Sequence, residues 1–160
     1  MKILVAIDSS ISSHHALEQA LKLLNLQNVN FLLLSVEEIV ALQSNITSTD
    51  PLGMSAEIPF NLYEERELVQ QEEKRTQSAL EWAEHFCQQV GVKCTTRLEI
   101  GDPKHIICHV AEQEKPDLIV VGSEGRGVIE RAILGSVSDY ILHHTSYPVL
   151  VIHKDKTPAS

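Results

Sequence analysis

Apolar positions recur along the chain in two distinct rhythms. Ile3–Ile7 and Phe31–Val36 are continuous apolar runs, and Leu118–Val121 is a third, four residues long and mostly β-branched. Runs of this kind predict strands buried on both faces. Val149–Ile152 reads as a further short strand. Val92–Ile100 instead alternates, with Val92, Cys94, Thr96, Leu98 and Ile100 on one side, which predicts a strand with one wetter face at a sheet edge. Between these runs the spacing turns helical. Ala16, Leu17, Ala20, Leu21 and Leu24 form one stripe, with Ser12 or Ser13 placed to cap the helix. A helix over Leu62–Val90 carries Thr76, Ala79, Leu80, Ala83, Phe86, Cys87 and Val90 on its core side and stops at Gly91. Its charged first half, Glu64–Arg75, reads as a solvated face. Asp102-Pro103 opens a third helix, with Asp as cap, Pro in the first turn, and Ile106, Ile107, Val110 and Ala111 facing inward. Val137, Tyr140, Ile141 and His144 mark a fourth.

Strand and helix thus alternate from end to end. That order predicts an α/β fold, a parallel sheet with helices on both faces. Ligands of such sheets lie beyond the carboxyl ends of the strands, where the winding direction reverses. If the first and fourth strands are neighbours there, Asp8 and Gly122 face one crevice. Glu38–Pro59 breaks the alternation with Ser, Thr, Asn, Asp50-Pro51 and Gly53, and is read as a loop and a candidate flap.

Composition narrows the chemistry. The chain has 160 residues, 43% hydrophobic and 22% charged, which suits one globular domain over residues 1–160. The net charge of −9, without a cluster of Lys and Arg, argues against nucleic-acid binding. A small nucleotide remains compatible with that charge, because backbone N–H groups and a metal ion can carry the balance. No apolar run reaches membrane-spanning length, and Met1-Lys2-Ile3 leads straight into a strand, so a soluble cytoplasmic protein is expected. The three cysteines, Cys87, Cys94 and Cys108, match no metal spacing and read as small buried thiols in a reducing compartment. The pairs His14-His15 and His143-His144 diverge on their helices, and Trp82 reads as packing.

The candidate chemistry is concentrated in Asp117–Ile152. Gly122, Gly125 and Gly127 follow the fourth strand directly, and Gly135-Ser136 opens the last helix. Glycines after a strand are often only turn residues. The second glycine, with a hydroxyl beside it at a helix start, shifts the reading toward an anion site. Free backbone N–H groups and the helix dipole favour negative charge there. Asp8 is read as a ligand contact over a plain turn residue. Glu124, whose carboxylate would repel an anion bound beside it, is expected to point into solvent. No activated nucleophile with its base is visible, and the phosphate-loop lysine is missing.

These residues carry a resemblance. Gly122-Ser-Glu-Gly125, nine residues Arg126–Leu134, then Gly135-Ser136 is similar to the glycine motif of the universal stress protein family, in its ATP-binding branch. The opening Ile-Leu-Val-Ala-Ile-Asp-Ser-Ser, the Gly101-Asp-Pro step and the closing Tyr-Pro-Val-Leu-Val-Ile resemble the same family. The likeness spans nearly the whole chain except Glu38–Glu65. It implies a three-layer α/β/α fold of the adenine nucleotide alpha hydrolase-like kind, with a five-stranded parallel sheet in order 3-2-1-4-5. It also implies a homodimer, commonly paired through the final strand, Val149–Ile152. By position it implies that Ala6, Ile7, Asp8 and Val36 hold adenine and ribose, Val36 through its backbone. Val121 and Gly122 would contact the sugar edge. Gly125, Gly135, Ser136, Val137 and Ser138 would hold the phosphates, with Arg126 placed to reach a terminal one. Mg2+ or Mn2+ would bind mainly through phosphate oxygens. The function implied is a regulatory ATP-binding module in stress response, read by a signalling partner that the sequence does not identify. A slow metal-dependent ATP hydrolase, with Asp8 or Glu124 orienting metal or water, an interaction scaffold, and a sensor of another adenine nucleotide stand as alternatives.

Overall fold

The computed structural model describes residues 1–38, 62–124 and 134–153, with backbone alone for 62–65. Strands β1 (Lys2–Ile7), β2 (Asn30–Glu37), β3 (Lys93–Ile100), β4 (Leu118–Gly122) and β5 (Val149–Ile152) alternate with helices α1 (Ile11–Leu23), α2 (Leu62–Val90), α3 (Pro103–Glu114) and α4 (Ser136–His144). The five strands form one parallel sheet in the order β3-β2-β1-β4-β5. The predicted architecture and strand order are therefore those of the molecule. β1 is central, with Ile3 level with Phe31 on one side and Leu118 on the other.

The continuous apolar runs are explained by burial on two faces. Ile3, Val5 and Ile7 point into a core shared with α1 and α2, which includes Leu17, Phe31, Leu33, Ala83 and Cys87. Leu4 points the other way, into a core with Leu34, Ile107, Val110, Ile119 and Ile141 from β2, β4, α3 and α4. Each such side chain contributes about 1.5–3 kcal/mol when fully buried, so the centre of the sheet holds the register firmly. Burial pushes the Cys87 thiol up to about 12, with the Cys94 thiol beside it adding to the shift. All three cysteines are free.

The helix ends follow local chemistry. Asp102 caps α3, its carboxylate accepting from the Lys104 N–H at 3.2 Å, and Pro103 sits in the first turn. α2 stops at Gly91, whose φ of 80° suits glycine. There the Val92 N–H reaches the Cys87 carbonyl and the Gly91 N–H the Gln88 carbonyl, both at 3.1 Å. The α1 cap differs from expectation. Ser10, not Ser12 or Ser13, is the cap, because Asp8 Oδ1 accepts both the N–H and the hydroxyl of Ser10 and turns its Oγ toward the Ser13 N–H.

The edge strand β3 also departs in part from its pattern. Leu98 and Ile100 are 46% and 62% exposed, while Arg97 and Glu99 are half-buried. Arg97 is drawn in by ion pairs to Glu99 and Glu114 and a hydrogen bond to Gln113. Lys2 also bonds Glu114, and this contact holds the Glu114 carboxyl below its ordinary range, with Arg97 assisting. Val90, assigned to the core stripe of α2, is 45% exposed at the helix end. From Arg66 to Arg75 α2 is exposed except for half-buried Glu72, in line with a solvated face. Trp82 packs between His14 and Phe86, stacked at 3.9 and 5.4 Å. Most of the Glu38–Pro59 segment read as a loop lies outside the described residues.

Candidate functional site

In this topology the chain winds outward from β1 in one direction through β2 and β3, then in the other through β4 and β5. The crevice between the carboxyl ends of β1 and β4 is the point where such a sheet accepts a ligand. A cavity of about 170 Å3 opens there. Ala6, Ile7 and Asp8 line it from β1, Val36 from β2, Val121 and Gly122 from β4, and Gly135, Ser136, Val137 and Ser138 from the start of α4. Ten of the twelve sequence-predicted positions thus meet around one cavity. The other two, Gly125 and Arg126, lie outside the described residues.

The cavity has two chemically different ends. One wall is apolar. Leu34 and Val36 stand two residues apart on the same face of β2, and Val121 and Ile107 belong to the same core cluster. Pro103 and Ile107, one turn apart on α3, close that side. The rest of the lining carries Asp8, Ser10, Glu38, Glu124, Ser136 and main-chain groups. α4 begins here with Gly135 as cap and no side-chain cap hydrogen bond. The first N–H groups of a helix lack intrahelical partners, so without a side-chain acceptor they are available to an anion.

The polar wall is tied together through three serines and the end of β4. Ser13 Oγ accepts from the Asp8 N–H at 2.9 Å and donates to the Ala6 carbonyl at 3.4 Å. Ser123 donates its N–H to the Ile152 carbonyl, and its own carbonyl accepts the Gly135 N–H at 2.7 Å and, more loosely, the Ser138 hydroxyl at 3.4 Å. Ser138 Oγ also donates to the Gly135 carbonyl at 2.9 Å. The start of α4 is therefore anchored to the end of β4. Gly122 has a steric reason as well. A Cβ at Gly122 would stand 2.6 Å from Ser12 Oγ and 2.9 Å from the Ser12 carbonyl carbon and oxygen, so only glycine lets α1 pack so closely.

Glu124 corrects one expectation. It is half-buried and lines the cavity instead of facing away, because its N–H bonds to Ser12 Oγ and keeps it against the wall. Sequence reasoning also missed Ser10, Ser13, Leu34, Glu38, Pro103 and Ile107 as lining residues. A topological signal pointed to several. α1 and α3 each start where a strand has just ended, so their first turns must border the same edge. Among the described residues no group of three His, Cys, Asp or Glu side chains is placed to hold a metal ion. No described helix is long and apolar enough to cross a membrane.

Comparisons with known proteins place this chain in a wider group. Residues 1–153 match the model of the universal stress protein family. A universal stress protein of Synechocystis sp. is 33% identical over 94% of this chain and 96% of its own length. Among solved structures, the universal stress protein UspA from Lactobacillus plantarum superposes with a TM-score of 0.73 at 27% identity, covering 95% of this chain and 97% of that one. A universal stress protein family protein from Arabidopsis thaliana with AMP bound superposes with a TM-score of 0.68 at 25% identity, covering 100% of this chain and 97% of that one.

Proposed function

The chain belongs to the universal stress protein family, and from that premise we propose that it is a regulatory module that binds ATP in the cavity between β1, β2, β4 and the start of α4. The observation that carries this reading is the pairing of an apolar wall with a helix N-terminus that lacks a side-chain cap. The apolar wall of Leu34, Val36 and Ile107 suits a flat base. The N-terminus of α4 suits phosphates. AMP in the Arabidopsis relative supports an adenine nucleotide of some kind. On this reading Ala6, Ile7, Asp8 and Val36 hold base and ribose, Val121 and Gly122 the sugar edge, and Gly135, Ser136, Val137 and Ser138 the phosphates. Gly125 and Arg126 add to the phosphate contacts by their place in the glycine motif.

Charge balance argues for a cation with the nucleotide. Asp8, Glu38 and Glu124 place three acidic residues around the cavity, and a polyphosphate beside them needs neutralising charge. Mg2+ or Mn2+ fits these hard oxygen donors, supplying that charge when bound. Asp8 Oδ1 is already engaged by Ser10, so phosphate oxygens would provide most ligands. The carboxylates would orient the ion or a water.

ATP occupancy would be read in the cytoplasm through a homodimer and a signalling partner in stress response. β5 supports the dimer, since Val149, Leu150 and Val151 are half-buried at an open sheet edge. Val151→Pro removes a ladder donor there, and light scattering at low micromolar concentration should show a smaller mass. An unchanged dimer mass excludes that edge as the interface.

Nucleotide released by denaturing freshly purified protein tests the function itself. Intact ATP near one per chain is the expected result. ADP or AMP that accumulates on incubation supports slow hydrolysis instead. Absence of any nucleotide, with no uptake on adding Mg·ATP, favours a scaffold and refutes the module.

A further inference from the structure

The three serines at the start of α1 do different work. Ser10 caps the helix and binds Asp8, and Ser13 binds the Ala6 and Asp8 main chain, so both act within their own segment. Ser12 reaches across the fold. It is 4% exposed, does not line the cavity, and accepts the Glu124 N–H at 3.2 Å across 112 residues of sequence. Its main chain also presses on Gly122 so closely that no Cβ fits between them. The first turn of α1 therefore touches both the last residue of β4 and the amide two residues on. Between them, the Ser123 carbonyl accepts the Gly135 N–H. The Gly122–Glu124 backbone is thus held by Ser12 on one side and itself holds α4 on the other.

We infer that Ser12 is a positioning residue for the phosphate end of the site: by fixing the Gly122–Glu124 backbone it sets where α1 and the start of α4 stand relative to each other, and so how well phosphates are bound. It touches no ligand. The inference rests on the adenine-nucleotide reading above, and it adds a residue outside the glycine motif. Its effect is selective. The apolar wall is built from β2, α3 and Val121, which Ser12 does not contact through any hydrogen bond among the described residues. Affinity for the nucleoside portion therefore depends on it less, through the Gly122 contact at the sugar edge alone.

The test compares wild type with Ser12→Ala by calorimetric titration with Mg·ATP and with adenosine, alongside hydrogen exchange of the nucleotide-free proteins. Loss of one hydrogen bond should weaken Mg·ATP about two- to tenfold and weaken adenosine clearly less. Exchange at the Glu124 amide should rise, with Ile119–Val121 unaffected and the thermal midpoint nearly the same. Equal weakening of ATP and adenosine would make Ser12 a general structural residue and overturn the inference. Unchanged ATP affinity in the folded variant would overturn it too. A wild type that binds neither compound, while its Glu124 amide still depends on Ser12, refutes the nucleotide reading itself and reduces Ser12 to a structural tie.

Discussion

The two ends of the cavity are made by different parts of the chain and by different physics. The apolar end is side chains on strands and on α3, locked into a core cluster in which Leu34 is 1%, Ile107 3% and Val121 3% exposed. Its shape is set by packing and does not depend on any one hydrogen bond. The polar end is mostly main chain. There the N-terminus of α4, the Gly122–Glu124 backbone and the hydroxyls of α1 converge, and Gly122 is glycine because a Cβ would meet Ser12. The difference implies a division of labour. On the proposed reading, packing would select a flat apolar group by shape, and oriented N–H groups would select charge. Changes at the first end should affect every ligand alike. Changes at the second should separate phosphorylated from unphosphorylated ligands.

That contrast can be broken in order of size. Gly125→Val should be most severe for ligand binding. On the proposed reading, in which Gly125 holds phosphate by its place in the glycine motif, a β-branched side chain would remove several charge-assisted hydrogen bonds, each worth roughly 1.5–3 kcal/mol. Calorimetry should show Mg·ATP affinity lower by at least about a hundredfold, with circular dichroism unchanged. Ile107→Ala should act at the other end. Its cavity should cost about 2–5 kcal/mol of stability in urea unfolding, and should weaken ATP and adenosine by the same factor. Gly122→Ala sits where the two accounts meet, since its Cβ collides with Ser12 backbone and not only with a movable side chain. Overpacking should cost about 1–3 kcal/mol, and ATP should suffer more than adenosine.

The parallel sheet and the position of the cavity were legible in the residues, whereas the strand order came only from the family resemblance. Ile3–Ile7, Phe31–Val36 and Leu118–Val121 are apolar on both faces because two cores flank the sheet, and that doubling is visible as an uninterrupted run. The glycine spacing and the strand ends then pointed to one crevice. Local competition among polar groups was not legible. Ser10, Ser12 and Ser13 are equivalent as caps in one dimension, and only the Asp8 carboxylate selects Ser10. Glu124 was assigned to solvent on charge alone, because its tether to Ser12 lies 112 residues away. On β3, alternation placed Leu98 and Ile100 inward, yet at an edge the ion pairs of Arg97 draw the opposite side in.

Smaller changes sharpen the comparison further. Ser136→Ala removes one hydroxyl and leaves the helix N–H groups in place. It should weaken Mg·ATP about two- to tenfold and leave adenosine untouched. Glu114→Gln serves as the distant control. Its carboxyl is held below the ordinary range chiefly by Lys2, so in wild type this tie is present at neutral pH and is lost as pH falls through the depressed value. Urea unfolding between neutral and acid pH should show a slightly flatter dependence in the variant, with ligand affinities at neutral pH unchanged. The effect is small because the pair is partly exposed.

The most direct measurement is a calorimetric titration of adenosine, AMP and Mg·ATP into nucleotide-free wild-type protein at one salt concentration. If a shape-selective end and a charge-selective end share one cavity, adenosine binds weakly but measurably, AMP more tightly, and Mg·ATP most tightly, each with one site per chain. Equal affinity for all three, or binding of phosphate compounds with none of adenosine, would contradict the two-ended site.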